Sequence, residues 1–350
     1  MTKDEKYMFR CLQLAANGRC TTPPNPMVGA VIVYQDRIIG EGYHVHCGQA
    51  HAEVNAIQSV KDQSLLKDAT IYVSLEPCSH YGKTPPCADL IIEKNIPRVV
   101  IGCMDPFALV AGKGIQKLRD AGVQVKVGVL EKECQDLNRR FMTFHLYKRP
   151  YITLKWAESS DGFIDVIRTS GRAVKISNDL TQMVAHKRRA EHTAILVGRR
   201  TALLDDPSLS TREWYGQNPV RLVIDKDLTL PSDLRIFNGE APTIVFTAKD
   251  NNPKYLNTTF IKLDFNKDIL PQIMQVLYEK QLQSLLVEGG QILLQSLINA
   301  GLWDEAYVER GTIALKEGVP APSISCSYEK ENCMGRLFLH YSNPTYKFLK

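Results

Sequence analysis

The chain has 350 residues, 44% hydrophobic and 23% charged, with a net charge of +5. Two domains are expected at roughly 100–200 residues each, and the composition excludes a disordered or fibrous protein. No stretch approaches the ~20 consecutive apolar residues of a membrane helix, and no dense basic stripe with interleaved aromatics suggests a nucleic-acid groove, so neither partner is expected.

Met1 to Arg10 is charged and lacks the apolar core of a secretion signal, which predicts a cytoplasmic protein. The nine cysteines show no disulfide framework. Metal ligation by a subset is the expected use, with most of Cys11, Cys20, Cys47, Cys103, Cys134, Cys326 and Cys333 as small buried hydrophobes. The run His186-Lys187-Arg188-Arg189 reads either as a solvated helix face or as attraction for a phosphate-bearing molecule.

The first half alternates strand and helix. Helical spacing runs over 3–17, with Met8, Cys11, Leu12 and Ala15 on one stripe. Strands are predicted over 28–33 and 37–42, joined at Gln35-Asp36. A helix over 51–60, a strand over 70–75, a helix over 88–94 and a strand over 98–103 follow. A helix over 114–121 stops at Gly122, before a strand over 124–129. The pattern restarts near 146–150. Beyond it come strands over 151–156, 194–197, 220–224, 243–247, 284–288 and 307–314, with helices over 178–192, 270–280 and 291–300. The tail from Ser323 is uninformative. The alternation predicts layered α/β architecture, in two domains over 1–147 and 148–350.

His51-Ala52-Glu53, Pro77-Cys78 and Cys87 form the strongest signal. One imidazole and two thiolates supply three ligands to a tetrahedral zinc ion and leave a fourth corner for water, the mark of a catalytic site. His51 and Cys87 fall at predicted helix starts, where partial positive charge favours thiolate. Glu53 stands where a carboxylate can take a proton from the water and return it to a ring nitrogen and a departing amine. The order His-x-Glu, Pro-Cys, Cys is the zinc deaminase signature, with eight residues between the cysteines where that signature has two. The insert 79–86 is expected to lie over the metal.

This loop resembles that of the bifunctional riboflavin-biosynthesis deaminase/reductase family. The resemblance extends to Pro24-Asn25-Pro26-Met27-Val28-Gly29, Gly40-Glu41-Gly42-Tyr43-His44 and Leu75-Glu76-Pro77-Cys78-Ser79-His80-Tyr81-Gly82-Lys83-Thr84-Pro85-Pro86-Cys87. It implies a cytidine-deaminase-like three-layer α/β/α domain in which His51, Cys78 and Cys87 bind zinc and Glu53 shuttles protons. Asn25, His44, His80, Lys83 and Thr84 would contact the pyrimidine or its ribose phosphate. From the residues alone, Asn25 also reads as a turn residue and Lys83 as a solvated charge.

The second half has no Gly-x-Gly-x-x-Gly after its first strand. Instead a buried strand, 285–287, runs through Glu288 into Gly289-Gly290 and directly into a helix. That is either a plain tight turn or a diphosphate site. Gly198-Arg199-Arg200-Thr201 resembles the glycine-arginine-x-threonine turn of dihydrofolate reductases, where the arginine helps hold the 2′-phosphate of NADPH. A surface charge pair is the other reading of Arg199 and Arg200. The reductase half of the same family is matched by Leu154-Lys155, Ser159-Ser160-Asp161-Gly162, Arg189 to Ile195, Thr201 to Leu209, Arg212, Arg221 to Asp225 and Glu288-Gly289-Gly290. It implies a dihydrofolate-reductase-like α/β domain. Thr201, Asp205, Gly290 and Arg199 would bind NADPH; Arg189, Leu209, Arg212 and Glu288 would bind substrate, the two arginines suiting a ribose 5-phosphate. Lys155 would lie near the reacting sugar carbon. Residues 163–177 are longer than the family pattern and lack its tryptophan, so no contact is transferred through them.

The expected protein is a bifunctional riboflavin-pathway enzyme using Zn2+ and NADPH on phosphorylated pyrimidines, as a homo-oligomer. Zinc would serve hydrolytic removal of the 2-amino group of a diaminopyrimidinone ribosylamino 5′-phosphate, and NADPH the reduction of ribosyl to ribityl. A cytidine or tRNA-adenosine deaminase is the rival enzyme reading, opposed by the long inter-cysteine loop and the second half. A structural zinc domain on a nucleotide-binding module is the non-enzymatic rival, opposed by Glu53.

Overall fold

The structure is a computed structural model that describes residues 1–79, 85–107, 111–250 and 253–345. The chain divides into two compact units, Met1–Lys148 and Arg149–Lys347.

In the first unit, five strands form one sheet: β1 (Gly29–Tyr34), β2 (Arg37–Tyr43), β3 (Thr70–Leu75), β4 (Arg98–Cys103) and β5 (Gln124–Val127). Their order is β2-β1-β3-β4-β5. β1 runs antiparallel to both neighbours, and β3, β4 and β5 are parallel. Period-2 alternation sends Ile32, Ile71 and Val99 to one face and Val31, Tyr72 and Val100 to the other. Both sets are buried, so each face needs a helical layer. The helices α2 (Ala52–Ser59), α3 (Cys87–Glu93) and α4 (Lys113–Asp120) cover the first face. The helices α1 (Lys3–Ala15), α5 (Glu131–Leu137) and α6 (Arg139–Tyr147) cover the second. The result is the expected three-layer α/β/α sandwich. A capping box fixes the start of α1: the Thr2 hydroxyl accepts from the Glu5 amide, and the Glu5 carboxylate accepts from the Thr2 amide. The helices over 131–147 are additional to those expected from the sequence.

The second unit begins with β6 (Tyr151–Glu158), the short β7 (Phe163–Asp165), α7 (Asp179–Ala190), β8 (Ala194–Gly198) and α8 (Arg199–Asp205). It continues through β9 (Val220–Ile224), β10 (Thr243–Thr247), β11 (Thr258–Lys262), α9 (Ile269–Glu279), β12 (Ser284–Val287) and α10 (Gln291–Asn299). It closes with β13 (Glu305–Arg310), β14 (Val319–Pro320), β15 (Tyr328–Cys333) and β16 (Arg336–Ser342). Nine of these strands form one sheet, ordered β11-β10-β9-β8-β12-β6-β13-β16-β15. The strands from β11 to β13 are parallel, and β16 and β15 add antiparallel at the edge. Helices α9 and α10 pack on one face, and α8 with the 228–237 segment packs on the other.

Within the described residues of the tail, where the sequence predicts no element, β15 and β16 form a hairpin turning at Met334-Gly335, both with positive φ, as a two-residue turn matching strand twist demands. β15 is largely exposed and so lacks the alternating apolar signal of a half-buried strand, while β16 is half-buried, with Leu337, Leu339 and Tyr341 against the core. The last parallel strand ends at Arg310, not at 314. All nine cysteines are free. Cys11, Cys103 and Cys134 are buried as expected, but Cys20, Cys47, Cys326 and Cys333 are only half-buried. Among the described residues, no helix is long and apolar enough to cross a membrane.

Candidate active sites

His51 is the N-cap residue of α2 and Cys87 the first residue of α3. Cys78 follows the end of β3 by three residues. The parallel pair β3 and β4 therefore delivers Cys78 to the edge where both helices begin. His51 Nδ1 lies 3.6 Å from Cys78 Sγ and 3.3 Å from Cys87 Sγ. All three ligand atoms lie within 4.8 Å of one another. Zinc bonds of about 2.0–2.3 Å in a tetrahedron require edges of roughly 3.6 Å between such donors, and both His51-to-sulfur distances suit that ion. The Cys87 amide donates to Cys78 Sγ at 3.3 Å. Contacts with Cys87 and then His51 push the Cys78 thiol well below its usual range, and the same contact with Cys78 pushes Cys87 up. Both sulfurs lie beside the imidazole, where a thiolate can serve as a metal ligand.

Glu53, in the first turn of α2, is buried. Burial pushes its carboxyl up to about 7, with His51 opposing. A carboxyl there can hold and release a proton near neutrality. His44 is buried and edge-on to His51, with ring centroids 5.5 Å apart. Its Nδ1 meets the Ala50 carbonyl at 3.0 Å, and its Nε2 lies 3.1 Å from Asn25 Nδ2. A carbonyl only accepts, so Nδ1 carries the proton and Nε2 accepts from the Asn25 amide. Asn25 is thereby oriented, not merely a turn residue. His80, Lys83 and Thr84, with the loop expected over the metal, lie outside the described residues.

In the second unit the chain leaves β8 toward β9, β10 and β11 and returns on the other side of β8 as β12. This reversal is the point at which open parallel sheets hold ligands, beyond the strand C-termini. Gly198 ends β8, and Glu288-Gly289-Gly290 follow β12. Gly290 has φ 69°, a conformation that a β-carbon penalises. A Cβ at Gly289 would lie 2.8 Å from Thr201 Cγ2, and one at Gly290 would lie 3.2 Å from Thr201 Oγ1. The glycines thus make a cradle against Thr201 that side chains would fill. No side chain caps α10, which leaves its first amides for a diphosphate. These features fit NADPH.

Arg189 and Glu288, distant in sequence, form a bidentate pair at 3.0 and 2.6 Å. Burial would raise the Glu288 carboxyl, but Arg189 outweighs it and holds the group below its ordinary value. The positive charge of Lys155, on β6, also lowers Glu288. Leu209 is buried with φ 53°, an uncommon conformation for leucine. Arg212 contacts the hydroxyls of Ser208 and Ser210, and its amide donates to His186 Nδ1. The basic run is not a plain solvated face: His186 is buried, Arg189 pairs with Glu288, and Arg188 stacks on the Tyr307 ring at 3.3 Å.

Arg199 Nε donates to Thr229 Oγ1 at 2.6 Å, while its side chain remains 46% exposed beside Asp225. Asp205 pairs with Arg168, whose guanidinium also reaches Asp165 and the Leu204 carbonyl. Arg168 is not among the residues that sequence reasoning singles out. It lies in the atypical 163–177 segment, where no pattern could be matched, and only folding brings it to α8.

Fold and geometry together define a zinc-dependent deaminase joined to an NADPH-dependent reductase in one chain. Residues 1–103 match the cytidine and deoxycytidylate deaminase zinc-binding region, and residues 150–311 match the RibD C-terminal domain. The riboflavin biosynthesis protein RibD of Aquifex aeolicus is 41% identical over 90% of this chain and 89% of its own length. That of Escherichia coli is 38% identical over 87% of each. A crystal structure of a diaminohydroxyphosphoribosylaminopyrimidine deaminase/5-amino-6-(5-phosphoribosylamino)uracil reductase from Thermotoga maritima is 35% identical with a TM-score of 0.88, covering 97% of this chain and 99% of that one. The chain belongs to the RibD family of riboflavin biosynthesis proteins. It is a bifunctional enzyme of that pathway, with a zinc deaminase and an NADPH reductase as its halves.

Proposed function

We propose that the first unit hydrolytically removes the 2-amino group of 2,5-diamino-6-ribosylamino-4(3H)-pyrimidinone 5′-phosphate. The second unit then reduces the ribosyl group, giving 5-amino-6-ribitylaminouracil 5′-phosphate. The observation that carries the reading is the His51, Cys78 and Cys87 cluster with buried Glu53 beside it. The Thermotoga protein's two named activities match these substrates.

His51, Cys78 and Cys87 would hold a zinc ion, which would supply a Lewis acid able to bring the pKa of a water near 7. Glu53 would take one proton from that water and give it to the ring nitrogen, and would carry a second, from the hydroxyl added to the ring carbon, to the amine that leaves as ammonia. Asn25, its amide nitrogen committed to His44, presents its carbonyl oxygen to the pyrimidine. His80, Lys83 and Thr84 complete this substrate set. In the second unit, bound NADPH would supply the hydride that reduces the anomeric carbon of the ribosyl group. Thr201, Asp205, Arg199 and the Gly290 turn hold the cofactor. Arg189, Leu209, Arg212 and Glu288 hold the substrate, with the arginines on its phosphate and Lys155 near the reacting carbon. The reading carries with it a cytoplasmic enzyme assembled from identical chains, which sedimentation of the purified protein checks.

The deciding experiment is metal analysis with incubation of the diaminopyrimidinone phosphate, following ammonia release and NADPH oxidation together. About one zinc per chain and sequential ammonia and NADPH signals are expected. Release of ammonia from cytidine or tRNA, but not from this substrate, would replace the reading.

A further inference from the structure

Glu76 immediately precedes the Pro77-Cys78 corner, and its side chain is buried with no cation against it among the hydrogen bonds of the described residues. Its carboxylate is instead satisfied by four backbone amides. One oxygen accepts from Gly112 at 3.0 Å and Asp105 at 3.3 Å. The other accepts from Gly114 at 3.0 Å and Ile115 at 3.2 Å. Its own amide donates to the Cys103 carbonyl at the end of β4. The helix α4 has glycine at its N-cap and no local side-chain cap; its orphan amides are met by a residue 36 to 39 positions earlier in the chain. The approach is close enough that a Cβ at Gly114 would stand 2.0 Å from the Pro77 carbonyl oxygen. On its far side, Cys78 is held by α3: the Ala88 amide donates to the Cys78 carbonyl and the Cys87 amide to its sulfur.

We propose that Glu76 is a positioning residue for the metal ligand Cys78: its carboxylate lashes the corner after β3 to Asp105 and the start of α4 and so sets where the sulfur stands relative to His51 and Cys87. A cap for α4 alone could come from a serine or aspartate at position 112. A cap supplied from two residues before the ligand couples the helix to the metal corner. Glutamine cannot replace the group, because its NH2 would face two N–H donors. The inference rests on the assignment of Cys78 as a zinc ligand.

The test uses the full chain with Glu76→Gln, Gly114→Ala and Cys78→Ala. Gly114→Ala displaces the same corner while leaving the carboxylate in place, so it answers the question even where Glu76→Gln does not fold. Zinc affinity is read by competition with a chromophoric chelator, ligand geometry by the visible absorption of the cobalt(II)-substituted protein, and catalysis by ammonia release. NADPH oxidation on the deaminated substrate reports on the second unit. Both positioning variants are expected to lose about 10–100-fold in zinc affinity, to shift the cobalt bands, and to lower kcat with KM nearly constant, while NADPH oxidation persists. Wild-type zinc affinity and cobalt bands in a folded Glu76→Gln or Gly114→Ala protein, even one of reduced Tm, would overturn the proposal. Wild-type zinc affinity in Cys78→Ala would overturn the ligand assignment itself, a result distinguishable from failure of Glu76 alone.

Discussion

Each unit places a glutamate immediately beyond the C-terminus of an interior strand: Glu76, buried, after β3, and Glu288, its side chain 8% exposed, after β12. The first is neutralised by four backbone amides, the second by the Arg189 guanidinium. A carboxylate held by amides is bound to the local chain path and cannot exchange its partners without moving the backbone. One held by a side chain can share its partner with an incoming phosphate or sugar. The deaminase unit thus commits its buried carboxylate to a fixed metal corner, and the reductase unit keeps its carboxylate among groups able to meet a substrate.

The sharpest way to break this contrast is to disable one unit and ask whether the other notices. Glu53→Gln removes the proton carrier while leaving the three metal ligands. Ammonia release should fall by about 10²–10⁴-fold, with zinc retained and NADPH oxidation on the deaminated substrate unaffected; metal analysis and the two assays check it. Full ammonia release in that protein would refute the deaminase mechanism.

Arg189→Met strands the Glu288 charge. Denaturant unfolding followed on the reductase unit should show a loss of about 3–5 kcal/mol, and Glu288→Gln added to it should restore part of that loss. A loss below about 1 kcal/mol would mean that water already serves Glu288 and that the pair is an ordinary surface one. Gly290→Val must adopt φ 69° against Thr201. NADPH binding, measured by fluorescence titration, should weaken at least about thirtyfold, roughly 2 kcal/mol, while ammonia release continues. Unchanged NADPH affinity would remove the diphosphate from this turn.

The smallest effect sharpens the comparison from within the deaminase unit, where Asp4 is held by side-chain donors. Burial alone would raise its carboxyl, but hydrogen bonds from Lys126, Arg98 and Tyr72 outweigh burial and hold it at about 2. The folded value lies below the unfolded value of about 3.9. Its stabilisation is therefore complete above that pH and disappears as the pH falls through about 2. Asp4→Asn should cost about 1 kcal/mol at pH 7, and the difference from wild type in Tm should vanish toward pH 2. A difference independent of pH would show that packing, not charge, is what Asp4 contributes.

The two sites also differ in how far residue order alone exposes them. His51, Glu53, Cys78 and Cys87 lie within one short stretch, and the chemistry of zinc restricts which residue types can recur there. The layers around the first sheet follow in part from β-branched runs and helical spacing. Arg168 on Asp205, Arg189 on Glu288 and the amides on Glu76 are not legible in this way, since each joins segments far apart in the chain.

Residue order is thus enough to expose the α/β alternation and to point to candidate zinc ligands and a candidate cofactor turn, because strand and helix periodicity and ligand chemistry are local properties. Folding alone decides which buried charge meets which partner and that the tail closes the sheet as a hairpin. Those outcomes depend on desolvation and on the meeting of distant strands, and neither leaves a mark in the order of the residues.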